Sequence, residues 1–169
     1  MGKTGKIALT AIFTAFSVVL LYLAAVLPTG RMGLCAAASL FGVAAVIEAG
    51  AAAGAAVYAG ALLLGFLLLP EKSALLLYGC FFGYYPVMKL FAERLRNRLL
   101  EWCVKLAVLN AALTLLLFVF SATVFDFSFL GGRRWLLYPF CSVLFVLFDL
   151  GVSGVIAFYL RSIRGRIKK

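Results

Sequence analysis

Arginine and aromatic side chains occur at the start of the last apolar segment of this sequence. Arg133, Arg134, Trp135 and Tyr138 follow the pair Gly131-Gly132, which leaves the chain free to bend there. Arginine forms bidentate hydrogen bonds with anionic groups and aromatic rings stack on planar ones, so this set suits a planar or anionic solute. The alternative is an aromatic belt at a membrane surface, with the two arginines among lipid headgroups. We treat the four residues as candidates for solute binding.

An acidic residue lies near the middle of that last apolar segment. On insertion scales an acid at the centre of a membrane helix costs about 2.5 to 3.5 kcal/mol, so Asp149 needs a partner. It either contacts a ligand or cation in a water-filled cavity or is protonated or paired inside a helix bundle. Arg31 and Asn110 are further polar candidates for solute binding.

Catalytic and metal-binding patterns are missing from the sequence. The chain has no histidine, which is the commonest general base and catalytic metal ligand. Its four cysteines are scattered through apolar runs with no C-x-x-C spacing, and we interpret them as small core residues. We therefore expect neither an enzyme nor a cofactor.

The elements that carry these residues are predicted to be membrane helices. Hydrophobic residues make up 66% of the 169-residue chain and charged residues 13%, which is too apolar for a soluble body of this size. The first apolar run follows the basic start MGKTGK as in a secretory signal. Its 21 uncharged residues are enough to cross a bilayer, so we expect a retained helix. The apolar runs predict six spans, at about 7–27, 34–48, 50–69, 73–90, 103–124 and 135–160.

The predicted fold class is an all-α membrane protein in which residues 1–169 form a single six-helix domain. The charges predict its orientation. With the N-terminus inside, twelve Lys and Arg residues lie on the cytoplasmic side and four outside, as the positive-inside rule requires. The basic segment between the fourth and fifth spans is expected to lie along the inner membrane surface, either as a connector or as a docking surface for a partner.

Two of the spans are predicted to be irregular. The second is short, so we expect it either to tilt little or to form a tight hairpin with the third. The fourth contains Tyr84, Tyr85 and Pro86, and Pro86 lacks the N–H of a helical hydrogen bond, which predicts a kink. Kinks of this kind often flank cavities.

Small residues predict close helix packing. Eleven of the thirteen residues from 49 to 61 are Ala or Gly, and G-x-x-x-G pairs occur at Gly50/Gly54 and Gly79/Gly83. Lipid removes the hydrophobic drive for helix association, so close contact at small residues holds spans together, within one chain or between copies. In the first span Ala8, Ala11 and Ala15 form a smooth stripe on one helix face.

Several features coincide in this chain: its length, six spans with both ends inside, a short outer loop after Pro28, the A-x-x-x-A motif of Ala11 and Ala15, and the Gly/Ala-rich hairpin SLFGVAAVIEAGAAAGAAVYAGALL. In this combination the chain resembles the substrate-binding component (S component) of the energy-coupling factor (ECF) transporters, which import vitamins into bacteria. It departs from that family at the inner turn of the hairpin, where Glu48-Ala49-Gly50 stands in place of a frequent Gly-Pro.

The resemblance implies a function and partners. In ECF transporters the alanine motif packs against a transmembrane coupling subunit, which carries two cytoplasmic ATPase subunits. Ala11 and Ala15 are then the docking face, and the chain captures a small vitamin-like nutrient outside the bacterial plasma (inner) membrane. The chain has no phosphate-binding Gly-rich loop ending in Lys-Ser or Lys-Thr, so ATP-derived energy must come from the partners. Membrane lipid is the other expected contact, nucleic acid is not, and the solute is left open.

Two other functions fit the same sequence. One is a small integral scaffold of a cell-envelope assembly that uses the basic inner segment as its contact surface. The other is a self-sufficient channel or facilitator that assembles as an oligomer around the G-x-x-x-G faces.

Overall fold

The computed structural model describes residues 2–27, 29–93, 98–120, 137–159 and 161, and the secondary structure within them is helical. The helices are α1 (Lys3–Val26), α2 (Arg31–Ala49), α3 (Ala51–Leu68), α4 (Ser73–Leu77), α5 (Tyr85–Ala92), α6 (Arg98–Phe120) and α7 (Leu137–Tyr159), with a π-helical turn (Tyr78–Phe82) between α4 and α5. The chain divides into two units, Met1–Phe118 and Val119–Lys169. The all-α fold class predicted from the sequence is confirmed.

Five helices in the described ranges are long and apolar enough to cross a membrane: Lys3–Val26, Arg31–Ala49, Ala51–Leu68, Ser73–Ala92 and Tyr138–Tyr159. They coincide with the first four predicted spans and the last one; Ser73–Ala92 combines α4, the π-helical turn and α5. Helix α6 covers most of the fifth predicted span, of which residues 121–124 lie outside the described residues. The structure thus fits a multi-pass membrane protein.

Large apolar side chains cover the outside of the first unit. Leu63, Phe66 and Leu67 on α3 are 74%, 70% and 78% exposed. A contiguous apolar surface of this kind is unfavourable in water and favourable in a lipid bilayer.

Small side chains let α1, α2 and α3 approach each other closely. Leu21, Ala24, Cys35, Ala38 and Ala61 are buried in their common core. A hydrogen bond crosses this core, where the hydroxyl of Ser17 donates to the carbonyl of Ala38 at 3.1 Å. Such polar bonds between helices add to the packing energy of small residues inside a membrane.

The turn between α2 and α3 consists of a single glycine. Gly50 has φ +96°, a left-handed conformation that residues with a Cβ rarely adopt. Gly54 lies one turn later, where an added Cβ would collide with the side chain of Val46 on α2. The predicted tight hairpin is therefore confirmed, and its G-x-x-x-G pair serves two purposes: Gly50 forms the turn and Gly54 forms the contact.

The prediction that the second span is short is wrong. Helix α2 has 19 residues and begins at Arg31. The predicted span began at residue 34 and excluded this cationic residue, but an ion pair with Glu71 neutralises its charge. The helix can therefore extend through it.

The predicted kink lies at the break between the π-helical turn and α5. Gly83 and Tyr84 form this break, and α5 begins at Tyr85 with Pro86 in its first turn. Proline is tolerated there because the first N–H groups of a helix have no partner within it. The structure adds a feature that the sequence did not predict, the π-helical register of the preceding turn.

The second unit contains α7, a 23-residue apolar helix. Within it the hydroxyl of Ser153 donates to the backbone carbonyl of Asp149 at 2.7 Å. Back-bonding of this kind satisfies a polar side chain inside an apolar helix.

Candidate functional site

A cluster of charged and polar side chains joins the start of α2 to the segment between α3 and α4. The two terminal nitrogens of Arg31 donate to the two carboxylate oxygens of Glu71, at 2.8 Å and 2.5 Å. The hydroxyl of Ser73 donates to the same carboxylate at 2.6 Å and accepts from Arg31 at 3.1 Å. Bidentate pairs of this geometry are among the stronger hydrogen-bonded ion pairs in proteins. Arg31, a predicted solute contact, is thus already engaged by a residue of its own chain.

The hydrogen bonds in this cluster favour the ionised form of the Glu71 carboxyl. They come first from Ser73 and then from Arg31, and they lower the pKa of the Glu71 carboxyl below its ordinary value. The sequence-based interpretation missed Glu71 and Ser73. The sequence did contain an indication of this pair. Residues 70–72 interrupt the apolar sequence and include Glu71, and the predicted topology places them on the same side of the membrane as Arg31.

Lys72 closes the neighbouring helix end. Its ammonium group donates to the carbonyls of Phe66 and Leu69, at 2.5 Å and 2.7 Å, and lies 5.2 Å from the centroid of the Phe66 ring. The last carbonyls of a helix have no partner within it, and they carry partial negative charge. Lys72 therefore stabilises the end of α3.

Two apolar grooves run along α3. The larger has a volume of about 570 Å³, and Leu62, Phe66, Leu75 and Cys80 are among the residues in its walls. The smaller has a volume of about 260 Å³ and is lined by Ala55, Val87, Met88 and Phe91 together with the two residues that both grooves share. These shared residues are Tyr58 and Tyr84. The tyrosine pair forms a common wall, and the surfaces on either side suit an apolar or aromatic molecule.

The hydroxyls of the two tyrosines differ in their hydrogen bonding. That of Tyr58 donates to the carbonyl of Gly79 at 3.1 Å. That of Tyr84 is buried, and no residue in the described part of the chain forms a hydrogen bond with it. A buried hydroxyl without a partner costs free energy. A bound solute or water molecule that forms a hydrogen bond with the Tyr84 hydroxyl would therefore be stabilised there.

Two lysines are buried, each beside an acid and an aromatic ring. The ammonium of Lys89 lies 2.8 Å from Glu93 and 5.7 Å from the ring centroid of Tyr85. The ammonium of Lys105 lies 2.7 Å from Glu101 and 5.3 Å from the ring centroid of Trp102. Because buried charges are costly, each lysine is stabilised by its carboxylate and by the ring. In the predicted topology both pairs lie at the cytoplasmic ends of their helices.

The remaining predicted solute contacts lie on α6 and α7 or outside the described residues. The amide of Asn110 donates to the carbonyl of Leu106 within α6, at 2.8 Å. Tyr138 is partly exposed in the first turn of α7, and Asp149, on the same helix, is 3% exposed. Arg133, Arg134 and Trp135 lie outside the described residues, so their grouping with Tyr138 is still a prediction.

The alanine stripe of α1 lies on the face that points away from the core. Ala8, Ala11 and Ala15 are exposed. The buried face of α1 adjoins the stripe, since Val18 lies three residues after Ala15, and it includes Thr14, Ser17, Val18 and Leu21. At Gly60 of α3 an added Cβ would lie 2.9 Å from Cγ2 of Thr14, so this buried face contacts α3 closely. The stripe is accordingly not used for packing within the first unit.

Comparisons with known proteins do not assign the chain to a family: no protein-family model, curated protein or solved structure matches it significantly. What the fold defines, over the ranges that the structure describes, is a helical protein with five helices long and apolar enough to span a membrane.

Proposed function

We propose that the chain is the substrate-binding component of an ECF-type importer in a bacterial plasma membrane. It has six spans, with both termini in the cytoplasm. It captures a small vitamin-like nutrient from outside and delivers it inward in complex with a transmembrane coupling subunit and two cytoplasmic ATPases. The chain itself is not an enzyme and uses no cofactor.

The exposed alanine stripe of α1 carries this proposal. A face of Ala8, Ala11 and Ala15 allows another helix to approach the backbone of α1 closely, and close approach is what drives helix association in lipid. If the stripe were buried inside the first unit, it would explain only packing within that unit. Its exposure instead supports a role in docking to a separate transmembrane subunit.

The grooves along α3 support a role in binding a small molecule. Ligand sites are concave and mostly apolar, with a few polar groups that orient the ligand. The larger groove runs from Tyr58 toward the end of α3 that carries Phe66, and the proposed orientation places this end outside. Arg133, Arg134, Trp135, Tyr138, Asn110 and Asp149 are the further solute contacts that we propose.

The proposal is tested by affinity purification of the tagged chain from its native membranes in a mild detergent, followed by mass spectrometry. We expect a transmembrane subunit and two ATPases to co-purify in defined proportion. A tagged membrane protein with an unrelated function, purified in parallel, identifies nonspecific contaminants. Recovery of the chain alone, under conditions that preserve other membrane complexes, would contradict the proposal.

The same preparations separate the two alternatives. A scaffold would co-purify with envelope proteins and no ATPase. A self-sufficient facilitator would move solute across liposomes that contain the purified chain alone. A co-purified small molecule, seen by native mass spectrometry, would identify the solute.

A further inference from the structure

The segment between α4 and α5 changes its hydrogen-bond register at one turn. In an α-helix the N–H of Gly83 would donate to the carbonyl of Gly79, four residues back. Here it donates to the carbonyl of Tyr78, five residues back, at 2.6 Å, which closes the π-helical turn. Such turns are rare and are found frequently at functional sites. The Gly83 N–H therefore has a second acceptor, the Gly79 carbonyl, one register step away.

Tyr58 of α3 takes the place that Gly83 leaves. Its hydroxyl donates to the Gly79 carbonyl at 3.1 Å. That carbonyl would otherwise lose its α-helical donor inside an apolar segment, where an unsatisfied carbonyl is costly. The π-helical register of one segment is thus completed by a side chain from a neighbouring helix.

The ring of Tyr58 also fits closely against the turn. A Cβ at Gly83 would lie 2.5 Å from Cδ2 of Tyr58 and 2.7 Å from Cε1 of Tyr78. The two tyrosine rings are 6.2 Å apart between centroids and tilted by 45°. Only glycine leaves room for both rings at this point, so the hydroxyl and the ring of Tyr58 hold the turn together.

We propose that this turn is a two-state hinge and that Tyr58 is the latch that selects its π-helical register. In the second state the Gly83 N–H bonds to the Gly79 carbonyl, and the Tyr58 hydroxyl is released. A register shift of one residue turns the helix beyond it by about 100°, because an α-helix has about 3.6 residues per turn. Helix α5, which packs on α2 and α3, then presents a different face to them.

The hinge also controls both grooves. Tyr58 and Tyr84 form the common wall of the grooves. Tyr58 is the latch, and Tyr84 follows directly after the turn and Gly83. Release of the latch therefore changes the two grooves together. The switch is a property of the fold and needs no bound solute or partner, so it is tested on the chain alone and separately from the transport proposal.

The first test is hydrogen exchange of the Tyr58→Phe variant in lipid nanodiscs, measured by mass spectrometry. This change removes one hydroxyl and keeps the ring, so the fold is retained. Loss of the Tyr58 hydroxyl removes one neutral hydrogen bond from the π-helical state, and the Gly83 N–H must leave the Tyr78 carbonyl before it reaches that of Gly79. We therefore expect the amides of Gly83, Tyr84 and Tyr85 to exchange about fivefold faster. Amides of α1 should keep their wild-type rates. The matched control is Tyr22→Phe, which removes a hydroxyl from a 47% exposed residue of α1.

Two results would overturn the hinge. One is an unchanged exchange rate at Gly83–Tyr85 in Tyr58→Phe. The other is an equal acceleration in all helices, which would assign Tyr58 a general role in packing.

A second variant tests whether the ring and the hydroxyl of Tyr58 both stabilise the π-helical turn. Gly83→Ala displaces the Tyr58 ring, so the same amides should exchange faster. In the Tyr58→Phe/Gly83→Ala double variant we expect no more acceleration than in the faster single variant, because both changes release one latch. Independent effects, which multiply in the double variant, would contradict a shared latch.

Discussion

Arg31 and Glu71, which are 40 residues apart in the chain, form a bidentate ion pair that ties the start of α2 to the segment between α3 and α4. The pair explains why α2 can begin on a charged residue at the end of an apolar helix. It also fixes two connecting segments at the same end of the bundle relative to one another. In the proposed orientation this is the outer end.

Glu71→Gln removes the charge and keeps the size of the side chain. We expect it to lower the free energy of unfolding by about 1 kcal/mol at pH 7, the upper range for partly exposed pairs. Chemical unfolding in mixed detergent micelles measures the loss. Arg31→Gln and the double variant complete a cycle, in which a coupling energy near zero would contradict a stabilising pair.

The stability difference between wild type and Glu71→Gln depends on pH in a defined direction. Because the folded-state pKa of Glu71 lies below its ordinary value of 4.5, the stabilisation is complete above that value. It is lost as the pH falls through the lowered folded-state pKa. Unfolding measured between pH 8 and pH 3 should therefore show a constant difference at neutral pH and a decline in acid. A difference that grows in acid would contradict this assignment.

The contact between α2 and α3 is sensitive to one methyl group. We expect Gly54→Ala to destabilise the chain by about 1 to 3 kcal/mol, because the added methyl collides with Val46 in a tightly packed contact. Gly33→Ala is the matched control, since nothing lies within 4 Å of a Cβ added there. That change should be neutral or slightly stabilising, because alanine favours a helix over glycine. Equal unfolding curves for the two variants would show that the contact is not close.

Long apolar runs were enough to predict the helices of the first unit. The first and third predicted spans, 7–27 and 50–69, end within four residues of α1 and α3. This agreement has a physical cause, since a bilayer requires about 20 apolar residues and internally satisfied backbone groups. Such a requirement is local and can be read from the sequence.

The polar contacts could not be predicted in the same way, because they depend on which helices are neighbours. The Arg31–Glu71 pair joins segments 40 residues apart; the predicted topology places both on one side of the membrane but does not show that they are neighbours. The π-helical register of Tyr78–Phe82 depends on a hydroxyl from α3, and nothing within the segment itself indicates it. Gly50 and Gly54 are equivalent in the sequence motif. Their different roles become visible only in the structure, where Gly50 has the positive φ of the turn and Gly54 does not.

Substitutions in the alanine stripe test the docking surface directly. Ala11→Leu and Ala15→Leu place a branched side chain where a partner helix is proposed to lie. We expect each to reduce recovery of the coupling subunit and ATPases about tenfold, because overpacking a close contact costs about 1 to 3 kcal/mol. Quantitative mass spectrometry of the purified complexes measures the change.

The control for the stripe is Ala59→Leu. Ala59 is exposed on α3 and lies one turn before Leu63, which is 74% exposed, so leucine is suited to that surface. All three variants should unfold like the wild type. Full recovery of the coupling subunit and ATPases with Ala11→Leu and Ala15→Leu would show that the stripe is not the docking surface.

The native cysteines report on both the core and the orientation. Cys35 is fully buried, whereas Cys103 is exposed near the start of α6. In folded protein a maleimide should modify Cys103 and leave Cys35 unmodified until the chain is unfolded in SDS. Peptide mass spectrometry assigns each site, so no cysteine has to be replaced.

A membrane-impermeant maleimide then tests which side of the membrane Cys103 faces. The proposed topology places the start of α6 in the cytoplasm, so inside-out vesicles should be labelled at Cys103 and right-side-out vesicles should not. Detergent-permeabilised vesicles of both kinds provide the maximum signal for comparison. Labelling of Cys103 only in right-side-out vesicles would reverse the orientation, and the end of the bundle that carries Arg31 and Glu71 would then face the cytoplasm. Solute capture from outside at that end would be untenable, because the larger groove would run toward the wrong side of the membrane.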